Sequence, residues 1–412
     1  MDFRHTTLAN GLTIIGEPNP IARSMALGFF VRTGARDESP ELHGCTHFLE
    51  HMVFKGTPRR TAMQVNIDFD RIGANYNAYT SEENTVFHAA VLPEYLPQAV
   101  DILTDILRPS LRPEDFDMEK KVIIEEIQMY ADEPMWSVYD EAKTLFFGPH
   151  PLARSVLGTV SSITALTRDQ MAEYFQRRYV ASNITVVAAG NYDWQSFVDL
   201  IASACGAWPQ GSASRDLPRA QPQHEFKVLT KATLQQEHMF LLMGGPPADS
   251  PLRYAAEILA HAVGDDTGSR LYWELVDPGW ADSADLSFHE YDGAGAYFCY
   301  LSGPAAEAQR NLERAMKVFR AVQAEGLTEQ ELRVAKSKIG SRIVRGNERP
   351  MGRMQSLGFL WTYLRTYRTL DEELALLDRV TLADLRQLLD EYPITEPTIA
   401  ALGPCEKLTC PA

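Results

Sequence analysis

Five residues in the first half of the chain, Leu111, Asp115, Phe116, Lys120 and Ile123, return as Leu327, Glu331, Leu332, Lys336 and Ile339, each pair 216 positions apart. Near the end of each half, Val187-Ala188-Ala189-Gly190 is echoed by Ala400-Ala401-Leu402-Gly403. The echoes keep size and polarity more than identity, which is what two copies of one fold require of their positions. Between the copies, residues 209–223 read PQGSASRDLPRAQPQ, polar, rich in Pro and Ser, and without hydrophobic period. The expected fold is therefore α+β, as two tandem homologous domains, each a mainly antiparallel sheet packed with helices. Residues 1–208 and 224–412 form the domains, and 209–223 is the linker. At 412 residues and 45% apolar, the chain has ample length for two cores.

The local pattern fills in this outline. Thr6–Leu8 and Leu12–Glu17 flank Asn10-Gly11, the signature of a hairpin with a two-residue turn. Met25–Arg32 reads as a buried strand. Asn75–Thr80 and Thr85–Leu92 read as a second hairpin around Ser81-Glu82-Glu83-Asn84. Helices are expected at Thr61–Ile72, 93–107, 113–131, 135–147, 167–178 and Trp194–Cys205, with a strand at Ile184–Ala189. In the second half, strands fall near 225–231 and 236–243, and a hairpin at Leu286–Tyr300 turns near Tyr291-Asp292-Gly293. Helices occupy 251–263, 305–324, 328–346 and 350–366, and the chain ends with helices near 371–391 and a last strand at Thr398–Leu402.

Only the first half carries chemistry. His47-Phe48-Leu49-Glu50-His51 is H-x-x-E-H, a zinc signature in inverted order. Its flanks, Gly44 to Thr57, hold no proline and stop at Lys55-Gly56-Thr57-Pro58, so a helix is expected. On a helix His47 and His51 are one turn apart on one face, where two neutral imidazoles can share one zinc ion. Glu50 lies on that face without needing to be a ligand, and can take a proton from water beside the metal. The alternative is a buried helix with two satisfied histidines and one stray acid.

A catalytic zinc needs a third protein ligand. The 113–131 helix offers Glu114, Glu119, Glu125 and Glu126, of which Glu119 and Glu126 share a face two turns apart. Val122-Ile123-Ile124 argues that this stretch packs inward and that a carboxylate at its edge reaches a buried metal. The competing reading is an acid-rich helix that is merely solvated. In the second copy Glu119 and Glu126 become Ala335 and Arg342, and the 251–263 helix holds only His261.

His47–His51 followed by Glu119-Lys-Lys-Val-Ile-Ile-Glu-Glu126 resembles the inverted-zincin peptidases, the pitrilysin, insulysin and mitochondrial processing peptidase family. Gly44–Thr57 and Gly73-Ala-Asn-Tyr-Asn-Ala-Tyr-Thr-Ser-Glu-Glu-Asn-Thr85 match it further, and the length matches one subunit of the processing-peptidase-like branch. The resemblance implies a zinc endopeptidase with one Zn2+ per chain, ligated by His47, His51 and Glu126. It implies Glu50 as general base and Glu119 as the carboxylate that orients a ligand histidine. Asn77 and Ala78 would lie on an edge strand that holds an extended peptide substrate by β-addition. The family also uses an Arg and a Tyr from the second half, in a stretch like R-x-x-x-G-L-A-Y, to hold the substrate carbonyl. Here that window is Leu275-Val-Asp-Pro-Gly-Trp-Ala-Asp282, so both donors are missing. Either local donors such as Arg270, Tyr272, His289 or Tyr291 substitute within a homodimer, or a related subunit supplies them in a heterodimer. The family also contains subunits that lose zinc and serve as scaffolds; intact His47, Glu50, His51 and Glu126 argue against that.

The formal charge of -16 argues against nucleic acid or an anionic membrane as main partner. Five scattered cysteines (Cys45, Cys205, Cys299, Cys405, Cys410) show no C-x-x-C pairing, which fits a reducing compartment. Cys45 precedes His47 by two, a spacing that points the two side chains apart on a helix, and is expected to be structural. No signal peptide or membrane-spanning run is visible, so a cytoplasmic location is expected.

Overall fold

The computed structural model describes residues 2–411. In the first half, β1 (Arg4–Thr7), β2 (Thr13–Pro18), β3 (Met25–Val31), β4 (Asn75–Thr80), β5 (Thr85–Val91) and β6 (Ile184–Gly190) form a six-stranded sheet ordered β1-β2-β6-β3-β5-β4. In the second, β7 (Phe226–Thr230), β8 (Gln236–Gly245), β9 (Ser283–Tyr291), β10 (Ala294–Pro304) and β11 (Thr398–Gly403) form a five-stranded sheet ordered β7-β11-β8-β10-β9. With β1 set aside, both sheets read first-fifth-second-fourth-third in chain order. In both, the first and fifth strands pair in parallel and every other neighbour is antiparallel. The fold is the expected tandem α+β arrangement, and this shared topology supports duplication independently of the sequence echoes.

Two compact units result. One comprises the chain up to Gln128, Arg154–Asp216 and Arg345–Arg368; the other comprises Met129–Ala153, Leu217–Val344 and the chain from Thr369. The boundary within 209–223 thus falls after Asp216. Each sheet also takes one helix from the other half of the sequence. Pro350–Leu364 lies on β3 and β6, and Pro134–Phe147 lies on β8 and β11.

This exchange explains why β3, Met-Ala-Leu-Gly-Phe-Phe-Val, has no polar alternation. Met25, Leu27, Phe29 and Val31 face the main core, while Ala26 and Phe30 face Met354 and Leu357 of the 350–364 helix. Both faces are buried, so both must be apolar. The helix sits close: a Cβ on Gly28 would lie 2.7 Å from Met354 Sδ, and one on Gly358 2.1 Å from the Phe30 ring. Arg353 anchors it through a buried ion pair, Nε to Glu17 Oε2 at 2.6 Å. In the second unit, Val138, Ala142 and Phe146 pack against Phe240, Leu242, Phe298 and Ala400 in the same manner.

Two local expectations are corrected. The first hairpin has a three-residue loop, Ala9-Asn10-Gly11: Gly11 N–H donates to Leu8, Leu8 N–H donates to Leu12, and Gly11 is left-handed at φ 88°. Asn10 does not sit in a two-residue turn because its side-chain amide is buried, donating to the Cys205 carbonyl at 2.8 Å. The helices expected near 371–391 are Leu370–Arg379 and Leu382–Glu391. Val380 and Thr381 are extended there, and Thr381 opens the second helix with a reciprocal cap to Asp384. Finally, of Val122-Ile123-Ile124 only Ile123 is fully buried; Val122 is exposed.

Candidate metal centre

The motif helix is Cys45–Val53. Cys45, Phe48, Leu49, Met52 and Val53 point into the first core, which leaves His47, Glu50 and His51 together on the other side. Its N-terminus is held from outside the helix. Glu38 accepts from Gly44 N–H at 2.8 Å and from Thr46 N–H at 2.7 Å, satisfying donors that every helix start leaves open. Burial pushes the Glu38 carboxyl up to about 8, against those hydrogen bonds. The second contributor is the helix Pro113–Asp132. Phe48 and Phe116 stack at 4.7 Å and 19°, locking the two helices in register. Phe116, Glu119 and Ile123 are its buried positions, and Glu126 follows one turn on from Ile123.

That packing brings His47, His51 and Glu126 together, with ligand atoms within 4.8 Å of one another. His47 Nε2 lies 3.8 Å and His51 Nε2 3.6 Å from Glu126 Oε2. Corners of a tetrahedral zinc site stand about 3.3–3.6 Å apart, given metal–ligand distances of about 2.0–2.2 Å, so the two Glu126 distances are close to zinc spacing. Among the described residues His47 Nδ1 is buried without a hydrogen-bond partner. Burial, with the neighbouring His51, drives its pKa down to about 3, so the ring is neutral as a ligand must be.

His51 turns its other nitrogen, Nδ1, to Glu119 Oε1 at 2.9 Å. Burial disfavours its charged form, but that bond and the charges of Glu126 and Glu50 outweigh burial and raise its pKa. Glu119 is itself buried. Hydrogen bonds from His51 and from Lys55, whose Nζ is 2.5 Å from Oε2, overcome burial and lower its pKa. Burial raises the Glu50 carboxyl, despite a hydrogen bond from Thr80 Oγ1 at 2.6 Å. Lys55 and Thr80 were not anticipated. Lys55 follows His51 by one helical turn, a spacing visible in the sequence; Thr80 carried no signal.

Asn77 and Ala78 lie on β4, the edge strand of the six-stranded sheet. Asn77 is exposed, and its Oδ1 accepts from Ala78 N–H at 2.9 Å, so that amide is not committed to β5. Cys45 is buried, with its thiol pKa pushed well up by burial, and is absent from the ligand group. All five cysteines are free.

The second unit keeps the frame and inverts its charge. On the helix Arg253–Gly264, Glu257 and His261 repeat the i, i+4 spacing of His47 and His51. Arg342, at the position of Glu126, places Nη1 2.5 Å from His261 Nε2 and also pairs with Asp265. Of the substitute donors, Arg270 is committed to Glu331 through two bonds of 2.6 and 2.9 Å and to the Gly326 carbonyl. Leu275 is buried, and Asp282 accepts from Gln236 Nε2 at 2.8 Å. Tyr291 is buried near the Phe147 ring. Tyr272 packs edge-on against Trp273, and His289 Nε2 meets Ser287 Oγ at 3.1 Å. Among the described residues, no helix is long and apolar enough to cross a membrane.

Residues 13–160 match the family model of insulinase, peptidase family M16, and residues 165–339 match the M16 inactive domain. An uncharacterized zinc protease of Streptomyces coelicolor is 32% identical over 97% of this chain and 89% of its own length. One from Bacillus subtilis is 30% identical over 98% of both chains. Among solved structures, a protease from Helicobacter pylori superposes with a TM-score of 0.91 at 20% identity, over 98% of this chain and 99% of that one. An M16 inactive-domain protein from Pseudomonas fluorescens gives 0.92 at 17%, over the whole of both. At these identities the structures speak for the fold alone.

Proposed function

Because the chain belongs to the insulinase family of peptidases, M16, we propose that it is a zinc-dependent endopeptidase acting on extended peptides or unstructured protein segments. The observation that carries this reading is the convergence of His47, His51 and Glu126 beside a half-buried carboxylate, Glu50, that is no part of the ligand group. His47, His51 and Glu126 hold one zinc ion, and Glu119 fixes the His51 ring so that Nε2 faces it. When bound, zinc supplies Lewis-acid polarisation of the scissile carbonyl and acidifies water. Glu50 accepts the proton of the attacking water and delivers it to the leaving amine nitrogen. The β4 edge at Asn77 and Ala78 aligns the substrate backbone as an added strand, which restricts substrates to extended chain.

The test is zinc content and peptidase activity of the purified chain beside Glu50→Gln. One zinc per chain in both, with turnover on an unstructured peptide lost by about 10²–10⁴-fold in the variant, is the expected result. A chain that neither carries nor takes up zinc refutes the reading.

A second reading concerns completeness. Leu275 and Asp282 stand where carbonyl-holding donors are expected, and Arg270 is already engaged. The chain then works as a homodimer, or as the zinc subunit beside a related partner. Mass in solution measured with activity separates these, and a fully active monomer refutes both.

A further inference from the structure

Glu50 has a partner thirty residues away. Thr80 Oγ1 donates to Glu50 Oε2 at 2.6 Å, the one hydrogen bond this carboxylate makes among the described residues. Glu50 is a long side chain with several rotamers, whereas Thr80 is β-branched and stiff at χ1. Thr80 is also held at both ends. It is the last residue of β4, paired with Thr85 of β5. The turn that follows is closed by Ser81 N–H to the Asn84 carbonyl at 2.8 Å, and Ser81 Oγ accepts from Asn84 N–H at 3.1 Å. Glu83, in the same turn, enters a buried ion cluster, 2.6 Å from Arg36 Nη1 and 3.7 Å from Arg215 Nη1. Arg215 comes from the 209–223 stretch, donates to the Glu83 carbonyl, and pairs with Asp37 at 2.8 Å. The hydroxyl is therefore presented by a rigid frame to a flexible acid.

We propose that Thr80 is a positioning residue for Glu50: its hydroxyl pins one carboxylate oxygen and leaves Oε1 to exchange the proton. This rests on Glu50 being the base. The Thr80 O–H stays a donor throughout; the proton that Glu50 gains and loses travels on Oε1, so the pin need not break during turnover. Because Thr80 and the Asn77-Ala78 edge share one strand, the element that aligns the peptide also sets the base.

The experiment uses the zinc-loaded full chain as wild type, Thr80→Val, Thr80→Ala, Thr80→Ser, Glu50→Gln and Thr80→Val/Glu50→Gln. Val keeps shape and branching but removes the donor; Ser keeps the donor. Expected for Thr80→Val are one zinc per chain, KM within about twofold and kcat lower by about ten- to hundred-fold, the scale of a hydrogen bond to a charged group. Thr80→Ser should recover most of kcat, and the double variant should be no slower than Glu50→Gln, since residues acting as one unit are not additive. Thr80→Ala, a second donor-free variant, should match Thr80→Val. Unchanged kcat in Thr80→Val, a loss in KM or zinc instead, or a further loss in the double variant would overturn the proposal. Wild type no faster than Glu50→Gln would fail the base assignment itself and take Thr80 with it; that outcome is read in the wild type, before any Thr80 variant.

Discussion

Replacing Arg215 with Ala should destabilise the first unit by about 2–4 kcal/mol, although Arg215 belongs to a stretch that reads as linker. Its side chain is 1% exposed, as is that of Asp37, and it meets both Asp37 oxygens, Nε–Oδ1 at 2.9 Å and Nη2–Oδ2 at 2.8 Å. Removing one partner of a buried pair costs about 3–5 kcal/mol when the other charge is left alone. Here it is not left alone. Asp37 keeps Arg178 at 2.9 Å, and Glu83 keeps Arg36 at 2.6 Å. What disappears is a bidentate charge-assisted contact and the bond to the Glu83 carbonyl; with Arg178 and Arg36 still pairing both acids, the net loss is on the scale of one charge-assisted hydrogen bond, about 1.5–3 kcal/mol. The lower part of the range is therefore expected. Urea unfolding of the variant should show a midpoint lower by about 1 M, at m-values of about 2–3 kcal/mol/M. Residues around 211–216 should also become cleavable by added protease under native conditions. A midpoint shift under about 0.2 M, with the segment still protected, would refute the claim that this stretch is anchored by its arginine.

Glu119→Ala should keep the fold but weaken zinc binding by about 10–100-fold, measured by competition with a chelating dye; unchanged affinity would mean His51 needs no orienting partner. Cys45→Ala should retain one zinc per chain and full activity, with at most a modest loss of stability, because the thiol faces the core; loss of zinc would make it a ligand. Arg342→Glu should let the second unit bind a zinc ion through Glu257, His261 and the new carboxylate, raising the stoichiometry of the chain from one to two by elemental analysis. A variant that folds and still binds one would show that the second frame no longer has metal-site geometry.

Much of this was legible because it is local. Asn75–Thr80 and Trp194–Cys205 have the boundaries their periodicity predicts, and the triad forms because i, i+4 on one helix and the Glu119–Glu126 face on another are fixed by helix geometry. The illegible parts are long-range. The amide of Asn10 finds carbonyls almost two hundred residues away, which overrides the hairpin signal of Asn-Gly. The exchange of the 134–147 and 350–364 helices is invisible to periodicity, because an apolar face shows that a helix is covered and not by which sheet. Thr80 looked like a strand end, and only the packing of the Cys45–Val53 helix on β4 brings it to Glu50. Val122 belongs to an apolar triplet of which a helix can turn only part inward.

The two copies show how little separates a metal frame from its inert twin. Apart from the added β1, their sheets share strand order and the single parallel pair, and the helices Pro113–Asp132 and Glu329–Asn347 keep the 216-residue register, so topology does not distinguish them. The side chains at three corners do. Where the first copy sets two imidazoles and a carboxylate around a space for a cation, the second sets a carboxylate, an imidazole and the guanidinium of Arg342. The bond from Arg342 to His261 Nε2 uses the very lone pair a metal would need, and Asp265 binds the same guanidinium from the other side. Lys55 pairs with Glu119 one turn beyond His51; one turn beyond His261, the charges are reversed, with Asp265 taking Lys338 at 2.7 Å. A cation balances the acids in both cases. In the second copy the cation beside His261 is covalently part of the chain, so that corner is filled without an ion.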